Sequence, residues 1–481
     1  MPKHIHKTFA LSLLPLLIGA AFHATSAHAA APSATSVRFA TFNASLNRDV
    51  SGQLISDLEN PGGADLATTV GKRIQQAHNV AEIIQRIAPD VLLVNEFDFD
   101  QNGVAGSSST PSPLGYSSKA AKLFQDNFLA ASHGNAVRGL TGGVSFAYRY
   151  TPTTNTGLAS GFDLNNNGAV SGGDDAYGFG VFAGQYGFTL YSKYEIVGVR
   201  SFQNFKWKDM PGNLLTNDPS AGANNLASFY SPEEIDALRL SSKNHVDVTL
   251  RINGQEVHFL TAHPTPPTFD GAEDRNGKRN HDEIRFWADY VNGAGYIYDD
   301  QGGTGGLAAG ARFVIAGDYN ADPLDGDSFD HAINQLLNDP LVNTGVTPQS
   351  AGGTAAADYP SNNGTANQGH LGDPRHDTAD FNDAAPGNLR VDYVLPSANL
   401  GIEDAGVFWP VDSDTATANN TGELFDLVGT FRDQNLYANL PSSDHKAVWV
   451  DVSVPVPEPE TYALMLAGLG LVGFMARRRK A

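Results

Sequence analysis

Six short polar clusters each adjoin an apolar run, and together they contain the residue types that metal-assisted hydrolysis needs. They are Thr41-Phe42-Asn43, Asn95-Glu96-Phe97-Asp98, Thr261-Ala262-His263-Pro264, Gly317-Asp318-Tyr319-Asn320, Arg390-Val391-Asp392-Tyr393 and Ser443-Asp444-His445. Carboxylate and amide oxygens are ligands that hard divalent cations prefer, and imidazoles transfer protons near neutral pH. Because no serine or cysteine nucleophile accompanies them, the pattern favours attack by water.

Each cluster alone has an ordinary structural explanation. An Asn or Asp after a strand is usually a turn residue that bonds its own backbone, and a lone His is more often structural than catalytic. Six such clusters at predicted strand ends favour a shared site over six unrelated turns.

The apolar runs beside the clusters are typical of buried strands. They cover 37–42, 91–94, 257–261, 313–316, 391–395 and 447–452. Between them, helical spacing predicts one helix over 74–84 that ends before Pro89, another that begins with an Asn280–Glu283 capping pair, and a third over 329–337. Irregular interleaving of strands and helices favours packed sheets with helices outside, in one domain over 36–453 with long loop insertions.

The composition restricts the function classes. The 481 residues contain 31 Lys+Arg against 52 Asp+Glu, a formal net charge of −21, and no cysteine. An acidic surface repels polyanions, so a nuclease would need bound cations to offset the repulsion. The lack of cysteine excludes disulfides, thiolate metal sites and cysteine nucleophiles.

With these clusters in this order, the chain resembles the endonuclease/exonuclease/phosphatase superfamily over roughly residues 37–452. The resemblance implies an α+β fold, a four-layer α/β sandwich in which two packed mixed β-sheets are flanked by helices. It also implies a metal-dependent phosphoesterase with Mg²⁺ or Mn²⁺ at the active site.

The resemblance further implies roles for individual residues. Asn43, Glu96, Asp318 and Asp444 would hold the metal, with Glu96 as the principal ligand. Asp318 and Asn320 would orient the attacking water, while His445, held by Asp392, would contact the phosphate or shuttle the proton. His263 would be a second catalytic imidazole and general acid. Arg279 and His281 follow it in a stretch typical of a bacterial secreted branch, and are expected to bind substrate.

One position departs from the family pattern. Some family members pair the first imidazole with a glutamate, and the nearest position here is Gln185. A glutamine can orient a ring but cannot stabilise its cation as a carboxylate would, which weakens the role of His263 as a general acid.

A separate cation site is predicted in a loop. Asp163, Asn165, Asn167, Ala169, Ser171 and Asp174 fall at the ligand positions of a calcium loop, and Gly168 occupies the sharp-turn position. The alternative is an Asn/Gly-rich turn that binds no metal. If Ca²⁺ binds, we expect it to order the 155–180 insertion near the mouth of the site.

Both ends of the chain resemble address signals. Residues 1–31 read as a basic, apolar and then small-x-small signal peptide, which predicts Sec export. Residues 455–481 place Pro457-Glu458-Pro459 before an apolar run and an Arg cluster, which resembles a PEP-CTERM sorting tail. That resemblance implies transient inner-membrane tethering, processing by an exosortase-type enzyme, and release to the surface or matrix of a Gram-negative bacterium; a plain C-terminal anchor is the alternative.

Three functions follow as hypotheses. The first is an exported hydrolase of phosphodiesters, possibly acting on extracellular DNA or RNA as a nuclease or phosphodiesterase. The second is a phosphomonoesterase of a small or lipid phosphate, and the third is a non-catalytic calcium-binding surface protein on the same scaffold. No obligate protein partner is inferred.

Overall fold

The structure is a computed structural model, and it describes residues 34–99, 110–112, 115–135, 139–358, 366–382, 384–411, 442–456 and 478. The predicted signal peptide and nearly all of the predicted sorting tail lie outside these ranges.

The strands in chain order are β1 (Ala34–Leu46), β2 (Val91–Phe97), β3 (Thr110–Ser112), β4 (Gly115–Ser117), β5 (Gly134–Asn135), β6 (Gly139–Leu140), β7 (Tyr148–Tyr150), β8 (Phe188–Ser192), β9 (Glu195–Ser201), β10 (Val246–Ile252), β11 (Gln255–Thr261), β12 (Phe313–Asp318), β13 (Ala379–Asp380), β14 (Asn388–Leu389), β15 (Asp392–Pro396), β16 (Gly401–Val407) and β17 (Val448–Pro455). The α-helices are α1 (Gln53–Leu58), α2 (Thr69–Ile87), α3 (Lys119–Phe124), α4 (Leu226–Phe229), α5 (Pro232–Ala237), α6 (Arg275–Val291), α7 (Asn334–Leu337), α8 (Ala351–Ala357) and α9 (Ala366–Gly369).

Two mixed sheets form the centre of the molecule. The first has the strand order β16-β17-β1-β2-β8-β7, and the second has the order β15-β12-β11-β10-β9. The pairs β1–β2 and β11–β12 are parallel, and the other neighbours in both sheets are antiparallel. All six predicted strands lie in these sheets.

The side chains of the sheets divide into three hydrophobic layers. Val37, Phe39 and Leu93 of the first sheet pack with Val248 and Phe259 of the second, which fills the space between the sheets. The outer face of the first sheet packs against α1, α2 and α3, and that of the second against α6 and α7. Burial on both faces explains why the strands read as continuous apolar runs instead of alternating ones. The predicted four-layer sandwich is confirmed.

Helix α2 follows its sequence signals. The Thr68 hydroxyl accepts a hydrogen bond from the Gly71 N–H, and the helix ends at Ile87, followed by Ala88 in a left-handed conformation directly before Pro89. Its apolar positions, including Ile74 and Ile84, are buried against the first sheet.

The predicted start of helix α6 is wrong by five residues, because the helix begins at Arg275 and not at Asn280. The Asn280 amide donates to the carbonyls of Thr265 and Tyr319 at 2.8 Å. Glu283 accepts from backbone N–H groups of Ser242 and Thr265 at 2.6 Å. Their spacing resembles a capping pair, but both side chains instead tie the helix to loops beside the second sheet.

The predicted helix over 329–337 is interrupted. A short 3₁₀ turn at Phe329–His331 contains Asp330 in a left-handed conformation, and α7 begins only at Asn334. Within the described residues, no helix is both long and apolar enough to cross a membrane.

Candidate active site

The six polar clusters meet at one end of the two sheets. Asn43, Glu96 and His445 come from the first sheet, at the ends of β1 and β2 and just before β17. His263, Asp318 and Asp392 come from the second, after β11, at the end of β12 and at the start of β15. Strand register contributes directly, since Asn43 pairs with Asn95 and Asp318 pairs with Asp392.

Close backbone packing sets the positions of the two central strands. A Cβ on Gly317 would lie 2.0 Å from the carbonyl oxygen of Ala262, so only glycine fits between β12 and the residue preceding His263.

Glu96 and Asn320 both have positive φ angles, 53° and 50°. Non-glycine residues in this region carry backbone strain of about 1–3 kcal/mol, which commonly occurs at functional sites.

Asp318 lies at the centre of the site and is buried. Its Oδ2 accepts a hydrogen bond from Asn43 Nδ2 at 2.9 Å and lies 3.4 Å from His263 Nε2 and 3.7 Å from His445 Nε2. Its Oδ1 accepts from the backbone N–H of Asn320 at 2.9 Å. Burial raises the pKa of Asp318 to about 6, against the opposing effect of the His445 charge.

His445 forms a buried dyad with Asp392. Its Nδ1 lies 2.8 Å from Asp392 Oδ2, and the same oxygen accepts from the Thr378 hydroxyl at 2.9 Å. Burial acts to lower the pKa of His445, but the charges of Asp392 and Asp318 outweigh it and raise that pKa well above its ordinary value. The surroundings of His445 therefore favour the imidazolium form, in which Nδ1 would donate to Asp392 and Nε2–H would face Asp318.

His263 has the opposite character. Burial, together with the positive charges of Lys243 and His445, lowers the pKa of His263 well below its ordinary value. Its Nδ1 has no hydrogen-bond partner among the described residues. Gln185 does not orient this ring, because its amide donates to the Arg48 carbonyl at 2.7 Å and its Oε1 accepts from Val181 N–H at 2.8 Å.

Glu96 is the principal metal ligand that the resemblance implies. Burial raises the pKa of Glu96, the His445 charge opposes this rise, and the Asp444 charge adds to it. Asp444 itself lies 3.4 Å from the Ser45 hydroxyl, and Ser45 N–H donates to Asn43 Oδ1. Carboxylate and amide oxygens are the ligand types that a hard divalent cation such as Mg²⁺ prefers.

A second set of donors lies close by. Asp318, Asp392 and His445 offer ligand atoms within 4.8 Å of one another, the only such group of three among the described residues. The hydrogen bond between Asp392 and His445 and the raised pKa of His445 make an ion pair the better description of these two residues.

Lys243, which the sequence patterns did not single out, lies at the same end. It is buried, and its Nζ contacts the Pro264 carbonyl at 3.5 Å. Burial lowers the pKa of Lys243, whereas the carboxylates of Glu283, Glu96 and Asp318 favour its charged form. A single lysine before β10 carries no motif, which is why only the fold reveals it.

The two predicted substrate-binding residues have different surroundings. The Arg279 guanidinium donates to the carbonyls of Leu240, Tyr177 and Arg239, so it is already engaged although it lines the cavity. His281 contacts Asp282 at 3.1 Å and the ring of Phe329, and it is not among the cavity-lining residues.

A cavity of about 550 Å³ opens from the site, with Glu96, Lys243 and His263 among its walls. The predicted calcium loop borders it through Leu164 and Asp174.

In that loop, Gly168 has a φ of 90° and donates to Asp163 at 2.8 Å. The side-chain oxygens of Asn165 and Asn167 accept hydrogen bonds from the backbone N–H groups of Asn167 and Ala169, at 3.1 and 2.9 Å. Asp175, one residue beyond the predicted set, accepts from the N–H groups of Leu164 and Ser171 and joins the two ends of the loop.

Residues 40–445 match the Endonuclease/Exonuclease/phosphatase family, and residues 455–480 match the PEP-CTERM protein-sorting motif. No curated protein sequence matches the chain.

Solved structures with a similar fold share little sequence with this chain. An endonuclease/exonuclease/phosphatase from Beutenbergia cavernae DSM 12333 is 16% identical, with 87% of this chain and 72% of that chain covered and a TM-score of 0.42. Sphingomyelinase C from Streptomyces griseocarneus is 14% identical, with 87% and 99% covered and a TM-score of 0.38. A family protein from Leptotrichia buccalis C-1013-b is 13% identical, with 86% and 98% covered and a TM-score of 0.38. Because the family match spans most of the sequence, this chain belongs to the endonuclease/exonuclease/phosphatase family.

Proposed function

We propose that the chain is an exported, divalent-metal-dependent hydrolase that directs water onto a phosphodiester. The observation that carries this proposal is the convergence of His263 and His445 on one oxygen of buried Asp318, at 3.4 and 3.7 Å. The PEP-CTERM motif at residues 455–480 supports export.

In this proposal Asp318 is the group that accepts a proton from water. Its pKa of about 6 suits a base that works near neutral pH. The Asn43 amide and the Asn320 N–H fix the carboxylate, so that its orientation does not depend on substrate. The water oxygen forms the new bond to phosphorus as its proton passes to Asp318.

His445 is the proposed proton donor. As an imidazolium held by Asp392, it can stabilise the phosphate and protonate the oxygen of the departing alcohol when the bond from phosphorus to that oxygen breaks. Asp318 can then return the proton taken from water to His445 across 3.7 Å. The net reaction adds one water and releases an alcohol and a phosphomonoester.

Asn43, Glu96 and Asp444 would hold the metal, Mg²⁺ or Mn²⁺, whereas Asp318, the remaining ligand that the resemblance implies, would act as the base. When bound, the cation would neutralise charge on the nonbridging phosphate oxygens. Lys243 would add a second positive charge beside His263. The low pKa of His263 argues against the general-acid role that the resemblance implies, and we assign it to positioning Asp318 and the phosphate.

The test is hydrolysis of bis-p-nitrophenyl phosphate, p-nitrophenyl phosphate and plasmid DNA by the purified protein with Mg²⁺, Mn²⁺ or EDTA. We expect metal-dependent release of p-nitrophenol from the diester and a loss of about 10²–10⁴-fold in kcat for His445→Ala. His281→Ala is the matched control, since His281 lies outside the cavity. No turnover with any metal, or equal rates for wild type and His445→Ala, would sink the proposal.

A further inference from the structure

The cavity beside the catalytic cluster has a lining rich in aromatic side chains. Five aromatic side chains contribute to its walls, namely Phe179, Tyr186, Trp207, Tyr230 and Phe269. Leu164 and Leu238 are the large aliphatic ones. Glu96, Lys243 and His263 mark the end of the cavity that adjoins the catalytic groups.

Two of these rings remain in contact with solvent. Phe179 is 55% exposed and Phe269 is 83% exposed, although both line the same cavity. The Phe179 ring packs against Tyr186, with centroids 6.1 Å apart, and lies over Gly173. When a ligand covers exposed aromatic rings, the free energy of the complex falls. Such rings grouped at a cavity therefore indicate a binding surface.

The positive charge at the cavity is concentrated at the catalytic end. Arg275 is ion-paired with Glu273, and Arg279 donates to three carbonyl oxygens. Among the described lining residues, Lys243 therefore has the charged group with the fewest hydrogen bonds. Its Nζ contacts one carbonyl oxygen, at 3.5 Å. This lining can hold one phosphate group and does not provide a row of cations for a polyanionic backbone.

We propose that the cavity binds one organic substituent of the phosphodiester, and that this substituent carries a planar aromatic ring. The inference rests on the proposed function, which it extends to a substrate class. A volume of about 550 Å³ suits a group of aryl or nucleoside size. Rings stack on Phe and Tyr faces, whereas an alkyl chain would be better matched by aliphatic walls.

The experiment compares three diesters that share a p-nitrophenyl leaving group and differ in the second substituent: methyl, octyl or 2-naphthyl. For the wild type we expect kcat/KM to be about 10-fold higher for the naphthyl than for the methyl ester, which is one stacking interaction of about 1.4 kcal/mol. In Phe179→Ala/Phe269→Ala this ratio should fall to near 1. Tyr148→Ala, which removes an exposed ring outside the cavity, should keep the wild-type ratio.

A binding measurement separates this inference from the proposed function. Calorimetric titration of the His445→Ala protein with 2-naphthyl phosphate should show saturable binding. Adding Phe179→Ala and Phe269→Ala to this variant should weaken the binding about 10-fold. This result would uphold the ring site even if no diester were hydrolysed. Equal kcat/KM for methyl and naphthyl esters, or octyl phosphate that binds as tightly as naphthyl phosphate, would overturn the ring assignment while leaving phosphodiester hydrolysis intact.

Discussion

Two imidazoles approach the same oxygen of Asp318, yet their pKa values are shifted in opposite directions. His445 has a carboxylate behind its ring and a raised pKa, whereas His263 has no partner for Nδ1 among the described residues and a lowered pKa. The Asp392 carboxylate therefore helps to raise the pKa of His445, whereas burial and nearby positive charge lower that of His263.

Replacing Asp392 by Asn tests that statement. The change removes the charge that stabilises the imidazolium, so the pKa of His445 should fall and kcat should drop about 10²–10⁴-fold. The pKa can be followed by NMR titration of the ring. Metal affinity, measured by calorimetry, should stay near the wild-type value because the proposed ligands do not include Asp392. A large loss of metal affinity would instead favour the Asp318–Asp392–His445 group as the metal site.

Replacing Lys243 by Met tests whether this buried lysine contributes to phosphate binding. If Lys243 contacts the phosphate, kcat/KM for the diester should fall about 10²–10³-fold. The pKa of His263 should also rise, because the Lys243 charge is one cause of its low value. Lys208→Met is the control, since Lys208 pairs with Asp236 on the surface. Unchanged kcat/KM in Lys243→Met would remove Lys243 from the mechanism.

We expect Asp377 to make the stability of the fold depend on pH. It is buried, and burial together with the charges of Asp322 and Asp325 raises its pKa to about 8. A raised carboxyl pKa means that the folded state binds the extra proton, so stability falls as pH rises from about 4 to about 8. Asp377→Asn should therefore raise the melting temperature at pH 8 and change it little at pH 4. Exposed Asp358→Asn should show no such difference, and an equal effect at both pH values would contradict the assignment.

At the scale of elements, the six strands and their meeting point could be predicted because buried strands leave continuous apolar runs whose polar ends must share an edge. The start of α6 could not, since Asn280 and Glu283 have capping spacing but bond to loops distant in sequence. Gln185 was matched by position along the chain, whereas its true contacts, Arg48 and Val181, depend on loop packing. Thr378 and Lys243 carry no local pattern that would reveal them.

Ca²⁺ binding by the 163–174 loop can be tested through its effect on stability. If it binds Ca²⁺, addition of the ion at about 100 times Kd should stabilise the fold by about 2.7 kcal/mol, visible as a rise in melting temperature. Asp163→Asn should abolish the rise, and Asp236→Asn should preserve it. Because Leu164 and Asp174 border the cavity, Ca²⁺ should also lower KM for the naphthyl diester. A melting temperature insensitive to Ca²⁺ would identify the loop as a metal-free turn.

At the scale of the whole molecule, the net charge of −21 predicts an unusual salt dependence. Repulsion between an acidic protein and DNA weakens with screening, so KM for plasmid DNA should fall about 2–5-fold between 20 and 200 mM NaCl at constant Mg²⁺. KM for a monoanionic small diester should change little. A KM for DNA that rises with salt would indicate a basic binding surface on the protein.

The register of the first sheet separates the site cluster from the end of the chain that carries the sorting motif. Ala34 pairs with Pro455, so these two residues lie side by side at one end of the first sheet, and residues 455–480 carry the sorting motif. His445 lies just before the other end of the same eight-residue strand, β17, which spans roughly 26 Å. If the tail holds the chain at a membrane, the catalytic cluster lies at the opposite end of β17 from the residues where the sorting motif begins. Substrate in the surrounding medium could then reach the site before the tail is removed.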